Sequence, residues 1–240
     1  MKPLKYFLLL IAALPGLMIA NAQTAEEIIA KHIDAIGGKD KISQIKSIFT
    51  ESTIFVMDNN GQRITNLLAG KGFKGESDFN GQKVTQCFTD KSGWVINPNT
   101  GTQAQDMPEG EYKAGRDLIY VGGTLSSYSA RGGKVELIGK ENVGPVGAYK
   151  IKETDPDGIS AIFYIDQNTY YLLEVVRNGT MNGQNVEITI TQSNFQKTSF
   201  GFTAPFKIGR KFGEQFTMSE TINKMEFNKD IDHKIFDMPR

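Results

Sequence analysis

Ser47-Ile48-Phe49-Thr50-Glu51-Ser52-Thr53-Ile54-Phe55-Val56-Met57, with Asn59-Asn60-Gly61 close behind, is the stretch whose reading decides the fold. It is rich in Thr, Ile, Phe and Val and contains no Pro or Gly, which suits a β-strand. Asn and Gly tolerate positive φ, so 59–61 predicts a hairpin turn. The same alternation then recurs. Strands are predicted near 62–68, 73–80, 82–89 and 93–97, with turns at Asn80-Gly81 and 90–93. A later set is predicted near 135–141, 148–154, 159–166, 170–178, 184–196, 204–209 and 215–227. Its turns include Asp155-Pro156-Asp157-Gly158, Asp166-Gln167-Asn168-Thr169 and Asn182-Gly183. Short polar turns join neighbours antiparallel, because parallel strands need a long crossover. About eleven strands in one open sheet twist and curl. The fold class is therefore mainly β: a strongly curved antiparallel sheet.

Upstream of the first strand the period changes to that of a helix. Thr24-Ala25-Glu26-Glu27 reads as a capping box. Ile29, Ile33 and Ile36 follow on one face, and Gly37-Gly38 supplies a left-handed stop. A second short helical turn is predicted at 39–45. The apolar stripe of the first helix needs a surface to bury against, and the concave side of the curl offers one. Between the two strand sets lies 99–133, rich in Gly, Ser and Gln. A short helix is predicted at 108–118, with Asp106 as a cap and Pro108 in the first turn. A connection this long without strand signals suits a lid or plug over the same concave face. No repeat or linker divides the chain, so 23–240 reads as one domain.

The first residues read as a leader. Lys2 and Lys5 precede an apolar run over 7–20, and Ala20-Asn21-Ala22 has the small-x-small pattern of a cleavage site before Gln23. That run is too short to span a bilayer, which takes roughly 20 residues. No cysteine lies just after it, so no lipid anchor is expected, and the mature chain is expected to be released into the periplasm. The 27 basic and 27 acidic residues balance, which gives no invitation to nucleic acid or to an anionic membrane surface. The single cysteine, Cys87, excludes an internal disulfide and a Cys-rich zinc site; a lone Cys in a strand reads as a small buried residue.

Signals for catalysis are missing. There is no Gly-x-Ser-x-Gly elbow, no His-x-x-x-His pair and no Cys-x-x-Cys. His32 and His233 lie in no motif with a nucleophile or carboxylate. Asp155-x-Asp157-Gly158 lacks the further ligands of a calcium loop, and the paired glycines 122–123 and 132–133 lack the strand–loop–helix setting of a phosphate site. Asn178-Gly179-Thr180 matches a glycosylation acceptor in form and reads as a turn. The expectation is a non-enzyme with no cofactor and no metal. The positive signal is aromatic. Phe49, Phe55, Phe73, Phe79, Phe88, Trp94, Phe163 and Phe216 all fall in or beside strands, either as an ordinary β-core or as the wall of an apolar pocket. Strand alternation puts Trp94 and Ile96 on one face and Val95 and Asn97 on the other. The bulkier pair is assigned to the concave side. The candidate ligand-binding residues are thus Ile33, Ile36, Phe55, Phe79, Trp94, Ile96, Phe163 and Phe216.

Four segments, taken in order, resemble the outer-membrane lipoprotein-sorting family, the LolA-like periplasmic carriers, and their lipid-carrying relatives. They are the opening helix with Gly37-Gly38 and Ile45-Lys46-Ser47-Ile48; Thr89-Asp90-Lys91-Ser92-Gly93-Trp94-Val95-Ile96-Asn97-Pro98; Phe163-Tyr164-Ile165-Asp166 with Tyr170 following; and Met225-Glu226-Phe227-Asn228 through Phe236-Asp237-Met238-Pro239. The likeness covers nearly all of 23–240. It implies an incomplete β-barrel with helices as a lid over a hydrophobic cavity. It further implies a periplasmic carrier or chaperone for lipoprotein acyl chains or a lipid. The partners so implied are an inner-membrane releasing complex and an outer-membrane acceptor, with the carrier itself a monomer. In the family a basic residue and a proline mark the turn from second to third strand. Here that turn is Ala69-Gly70-Lys71-Gly72; it has no proline, and Lys71 is the candidate lid-turn residue. The alternative reading is an envelope module that binds a hydrophobic ligand or a protein without transporting it.

Overall fold

The computed structural model describes residues 23–181 and 184–239. The leader at 1–22 and the turn at Asn182-Gly183 lie outside the described residues. Among the described residues thirteen strands form one antiparallel sheet. They are β1 (Ser47–Val56), β2 (Asn59–Leu68), β3 (Gly72–Phe79), β4 (Gln82–Thr89), β5 (Gly93–Asn97), β6 (Gly101–Asp106), β7 (Lys134–Val143), β8 (Val146–Thr154), β9 (Ser160–Asp166), β10 (Leu172–Met181), β11 (Gln184–Lys197), β12 (Thr203–Phe212) and β13 (Phe216–Phe227). Their order is β6-β5-β4-β3-β2-β1-β13-β12-β11-β10-β9-β8-β7. Two meanders therefore join through one pairing, β1 with β13, and the sheet stays open at the β6 and β7 edges. Among the described residues no helix is long and apolar enough to cross a membrane.

Three details differ from the sequence reading, each for a local reason. The first hairpin turns at Met57-Asp58, whose φ values are 48° and 63°, so Asn59-Asn60-Gly61 lies inside β2. Gly61 is needed there for space: a Cβ would come within 2.7 Å of the Phe79 ring. Asn178-Gly179-Thr180 lies inside β10 rather than at a turn, and Gly179 is again a close approach, with Ile188 2.6 Å from where its Cβ would be. A thirteenth strand, β6, forms within the stretch expected to lack strands. Gly101-Thr102-Gln103-Ala104-Gln105-Asp106 has little β-forming character. As an edge strand it needs only one partner, which β5 supplies through Trp94 opposite Asp106 and Val95 opposite Gln105.

Helix α1 (Ala25–Ala35) begins with the expected capping box: Glu27 N donates to Thr24 Oγ1 at 3.2 Å, and Thr24 N donates to Glu27 Oε2 at 3.2 Å. Such a cap stabilises by about 1 kcal/mol. Gly37 and Gly38, at φ 131° and 84°, end the helix. A single turn, α2 (Lys39–Ser43), leads into β1. The buried face of α1 carries Ala25, Ile28, Ile29 and Ile33, packed on Tyr149, Ile151, Phe163, Ile165, Leu172 and Val175 of β8–β10. At its far end the helix fills a gap in the sheet. The ladder between β12 and β13 runs only from Lys207–Thr221 to Phe212–Phe216, while β13 continues along β1 to Phe227. Ile36, Ile45, Phe202 and Ala204, with Met225 and Phe227, occupy the opening. The Ile36 carbonyl there accepts a hydrogen bond from Thr203 N at 2.9 Å.

Candidate functional site

The segment between β6 and β7 joins opposite edges of the sheet, so it has to cross a face. It crosses the concave one. Helix α3 (Glu109–Gly115) starts at Pro108, which is the cap residue rather than part of the first turn, with no side-chain cap from Asp106. Two 3₁₀ turns follow, Arg116–Ile119 and Thr124–Ser126. The inward side chains of this crossing are apolar. Met107 and Ile119 pack with Phe88, Phe73 and Val95. Val121 meets Ile36, and Leu125, 1% exposed, meets α1 and Phe163. Gly115 lies so near Phe88 that a Cβ there would overlap the ring. The crossing is thus a roof.

Ion pairs hold the roof to the β8–β9 hairpin. Arg116 Nη2 donates to Asp155 Oδ2 and to Asp157 Oδ2, both at 2.7 Å. Arg131 pairs with Asp117 at 3.2 Å and with Glu153 at 3.4 Å. Burial pushes the Glu153 carboxyl up to about 7, against the pull of Arg131.

Beneath the roof the concave face is not uniformly apolar. Alternation along β2, β12 and β13 turns Arg63, Arg210 and Glu220 inward. Glu220, 4% exposed, accepts from Arg210 Nη1 and from Ser52 Oγ, each at 2.7 Å. Arg63 Nη1 donates to Ser77 Oγ at 2.9 Å, and its Nε lies 3.9 Å from Glu220. The two guanidiniums hold the Glu220 carboxyl below its ordinary range although burial alone would raise it. Further along, on β10, Arg177 lines a cavity of about 40 Å³ with Phe163, Val175, Thr124, Glu153 and Lys113.

The residues predicted from sequence fall in three places. Ile33, Ile36 and Phe163 meet the concave core, each 5% exposed or less. Phe79 and Phe216 also face inward, near the hairpin tips: Phe79 covers Gly61, and Phe216 stacks on Phe212 at 4.6 Å. Phe55, Trp94 and Ile96 lie on the opposite face. Phe55 is 44% exposed, while its neighbour Ile54 is the inward, fully buried residue. Trp94 packs with Cys87, Ile96 and Phe236, and its Nε1 donates to the Phe236 carbonyl at 2.8 Å. Bulk misassigned this strand because its outer face is itself covered, by the 3₁₀ turn His233–Phe236; Val95 is the residue that meets the roof. Lys71 points to solvent, with a 3.8 Å pair to Asp90. The turn around it touches the roof through Gly70 N, which donates to the Ile119 carbonyl at 2.8 Å.

The other singled-out groups have structural surroundings. His32 is buried, with Nδ1 2.8 Å from the Tyr170 carbonyl, and burial lowers its pKa. The Cys87 thiol is buried and pushed up to about 12, so it is a poor nucleophile. Sequence reading missed the inward charges. Their signal was present: Val175-x-Arg177 and Glu220-x-Ile222 put a charge and an apolar residue on one strand face.

No family model matches the chain, and no curated protein matches it. Solved structures do. A Vibrio parahaemolyticus domain named for outer membrane lipoprotein sorting aligns with TM-score 0.59 and 12% identity, over 88% of this chain and 95% of its own. A DUF1329 family protein from Desulfovibrio piger aligns with TM-score 0.57 and 13% identity, over 88% and 95%. A LolA superfamily protein from Nitrosomonas europaea aligns with TM-score 0.57 and 14% identity, over 90% and 98%. The chain resembles these proteins in fold, as the curved open sheet with its concave helices implies.

Proposed function

We propose that the protein is a non-catalytic periplasmic carrier or chaperone that shields lipoprotein acyl chains or a lipid between the concave face and its roof. The observation that carries this reading is the crossing segment. It lays an apolar strip, Met107, Ile119, Val121 and Leu125, along the apolar wall made by Phe73, Phe88, Val95, Ile36 and Phe163. Its ties to the β8–β9 hairpin are ion pairs: the one to Asp157 is exposed and weak, and those to Asp155 and Glu153 are largely buried and have to open for the roof to lift. The likeness in fold to a lipoprotein-sorting domain and to a LolA superfamily protein supports the same reading. An acyl chain entering under the roof would replace the strip against the wall.

A second reading, a binding module without transport, is favoured by the small volume left in the described state. The cavity beneath the roof at Arg177 is about 40 Å³, enough for a few atoms only. One experiment separates the two. Protein isolated gently from the envelope fraction of its cells is analysed by native mass spectrometry. A carrier brings lipid or acylated protein with it in near-stoichiometric amount. Protein free of lipid, and unable to take up an acyl chain when one is supplied, supports the module.

A further inference from the structure

The charges around the roof match in number but not in place. Asp117 and Glu153 are each paired with Arg131, and Asp155 and Asp157 with Arg116. Lys113 is paired with Glu109 at 2.7 Å. Arg63 and Arg210 share the single carboxylate of Glu220. Arg177 remains. Among the described residues nothing accepts a hydrogen bond from it, and its Nε is sealed from solvent without a partner. Burial lowers its pKa, Asp117 opposes that, and the neighbouring Arg210 adds repulsion. A desolvated guanidinium with empty donors is costly, and a planar fork of this kind matches a carboxylate or a phosphate. Its position is also particular. It lines the cavity beside Phe163 and Val175; the carboxylates on the same lining, Asp117, Glu153 and Asp155, are held by Arg131 and Arg116, and the free donors are those of Arg177.

We propose that Arg177 is the head-group site for an anionic amphiphile, a single-tailed or lipid-borne carboxylate or phosphate, whose aliphatic part lies under the roof. This rests on the carrier reading and names the chemistry of the cargo. The anion completes the donors of Arg177 and offsets the excess positive charge it shares with Arg63 and Arg210. The tail takes the apolar wall. The cavity holds only the head; the tail requires the roof strip to yield.

The test is displacement of the neutral fluorophore N-phenyl-1-naphthylamine from the full-length mature protein by palmitate, hexadecyl phosphate, methyl palmitate and inorganic phosphate. Palmitate or hexadecyl phosphate is expected to bind at least about tenfold more tightly than the uncharged ester, and whichever binds better identifies the head. R177M should abolish that preference while leaving methyl palmitate unchanged, and R177K should restore part of it. R177M should also raise the melting temperature of the ligand-free protein, because it removes an unpaired buried charge; a purely structural Arg177 would make it fall. Equal binding of ester and anions, or an anion preference that survives in R177M, overturns the inference and leaves the carrier standing. Inorganic phosphate competing as well as hexadecyl phosphate overturns the amphiphile. Failure of every tailed ligand to bind overturns the carrier reading and this inference with it.

Discussion

Single residues on this sheet take their meaning from which face they occupy, and that is where sequence is least explicit. Alternation paired Trp94 with Ile96 correctly. It could not say which side was inside, because both faces of β4 and β5 are covered, one by the roof and one by the chain near Phe236. A consequence follows for spectroscopy. Trp94 is 4% exposed and hydrogen-bonded to the Phe236 carbonyl, so its emission should be blue-shifted. Because it lies on the outer face, palmitate should leave that emission unchanged; a shift on addition would place it at the ligand. Glu153 gives a second residue-scale expectation. Burial pushes its carboxyl up to about 7 in the fold, against an ordinary value of 4.5. The fold therefore holds the proton more tightly than the unfolded chain does, and stability is lost as pH rises from about 4.5 to about 7. Solvent screening reduces the effect to about 1–2 kcal/mol. E153Q should flatten that part of the profile, measured as denaturant midpoints between pH 4.5 and 8. An equally steep loss in E153Q would assign it to another group.

At the scale of elements, the strands were legible wherever β-branched and aromatic residues alternated between polar turns. β6 was not, since its polar composition is tolerated only by an edge. The roof was legible as a long connection of different composition. Its path over the concave face was expected from its length without strand signals, and the topology requires it to bridge the β6 and β7 edges. Whether the roof must move can be tested directly. Ala114 on α3 and Gly179 on β10 face each other, with 3.9 Å between the Ala114 Cβ and the position of a Cβ on Gly179. That is within the span of a disulfide, and the Ile188 tip can rotate to make room. A114C/G179C should oxidise readily, and the oxidised protein should take up palmitate at least about tenfold more slowly than the reduced form. Equal uptake in both states would mean that ligand enters without displacing α3.

For the molecule as a whole, the curved antiparallel sheet follows from short turns and strand number, and the helix on its inside follows from one apolar stripe. The inward arginines were overlooked for a physical reason. A charge in an alternating strand is assumed to face water, and only the curl of the open sheet together with the roof across it makes the inner positions scarce in solvent. The pairing of β1 with β13 has a separate consequence, for the order in which the chain can fold. The two strands that unite the meanders stand near opposite ends of the described sequence, with Ile48 opposite Phe227. As the chain emerges from the ribosome, β1 to β6 can pair locally while β1 still offers one unsatisfied edge. That edge finds its partner only when the last strand has appeared, after the largest loop closure in the molecule. A nascent chain ending before β13 is thus two unfinished sheets. It stays open to unfolding and to chaperones, the state in which a chain passes most easily through a narrow translocation pore.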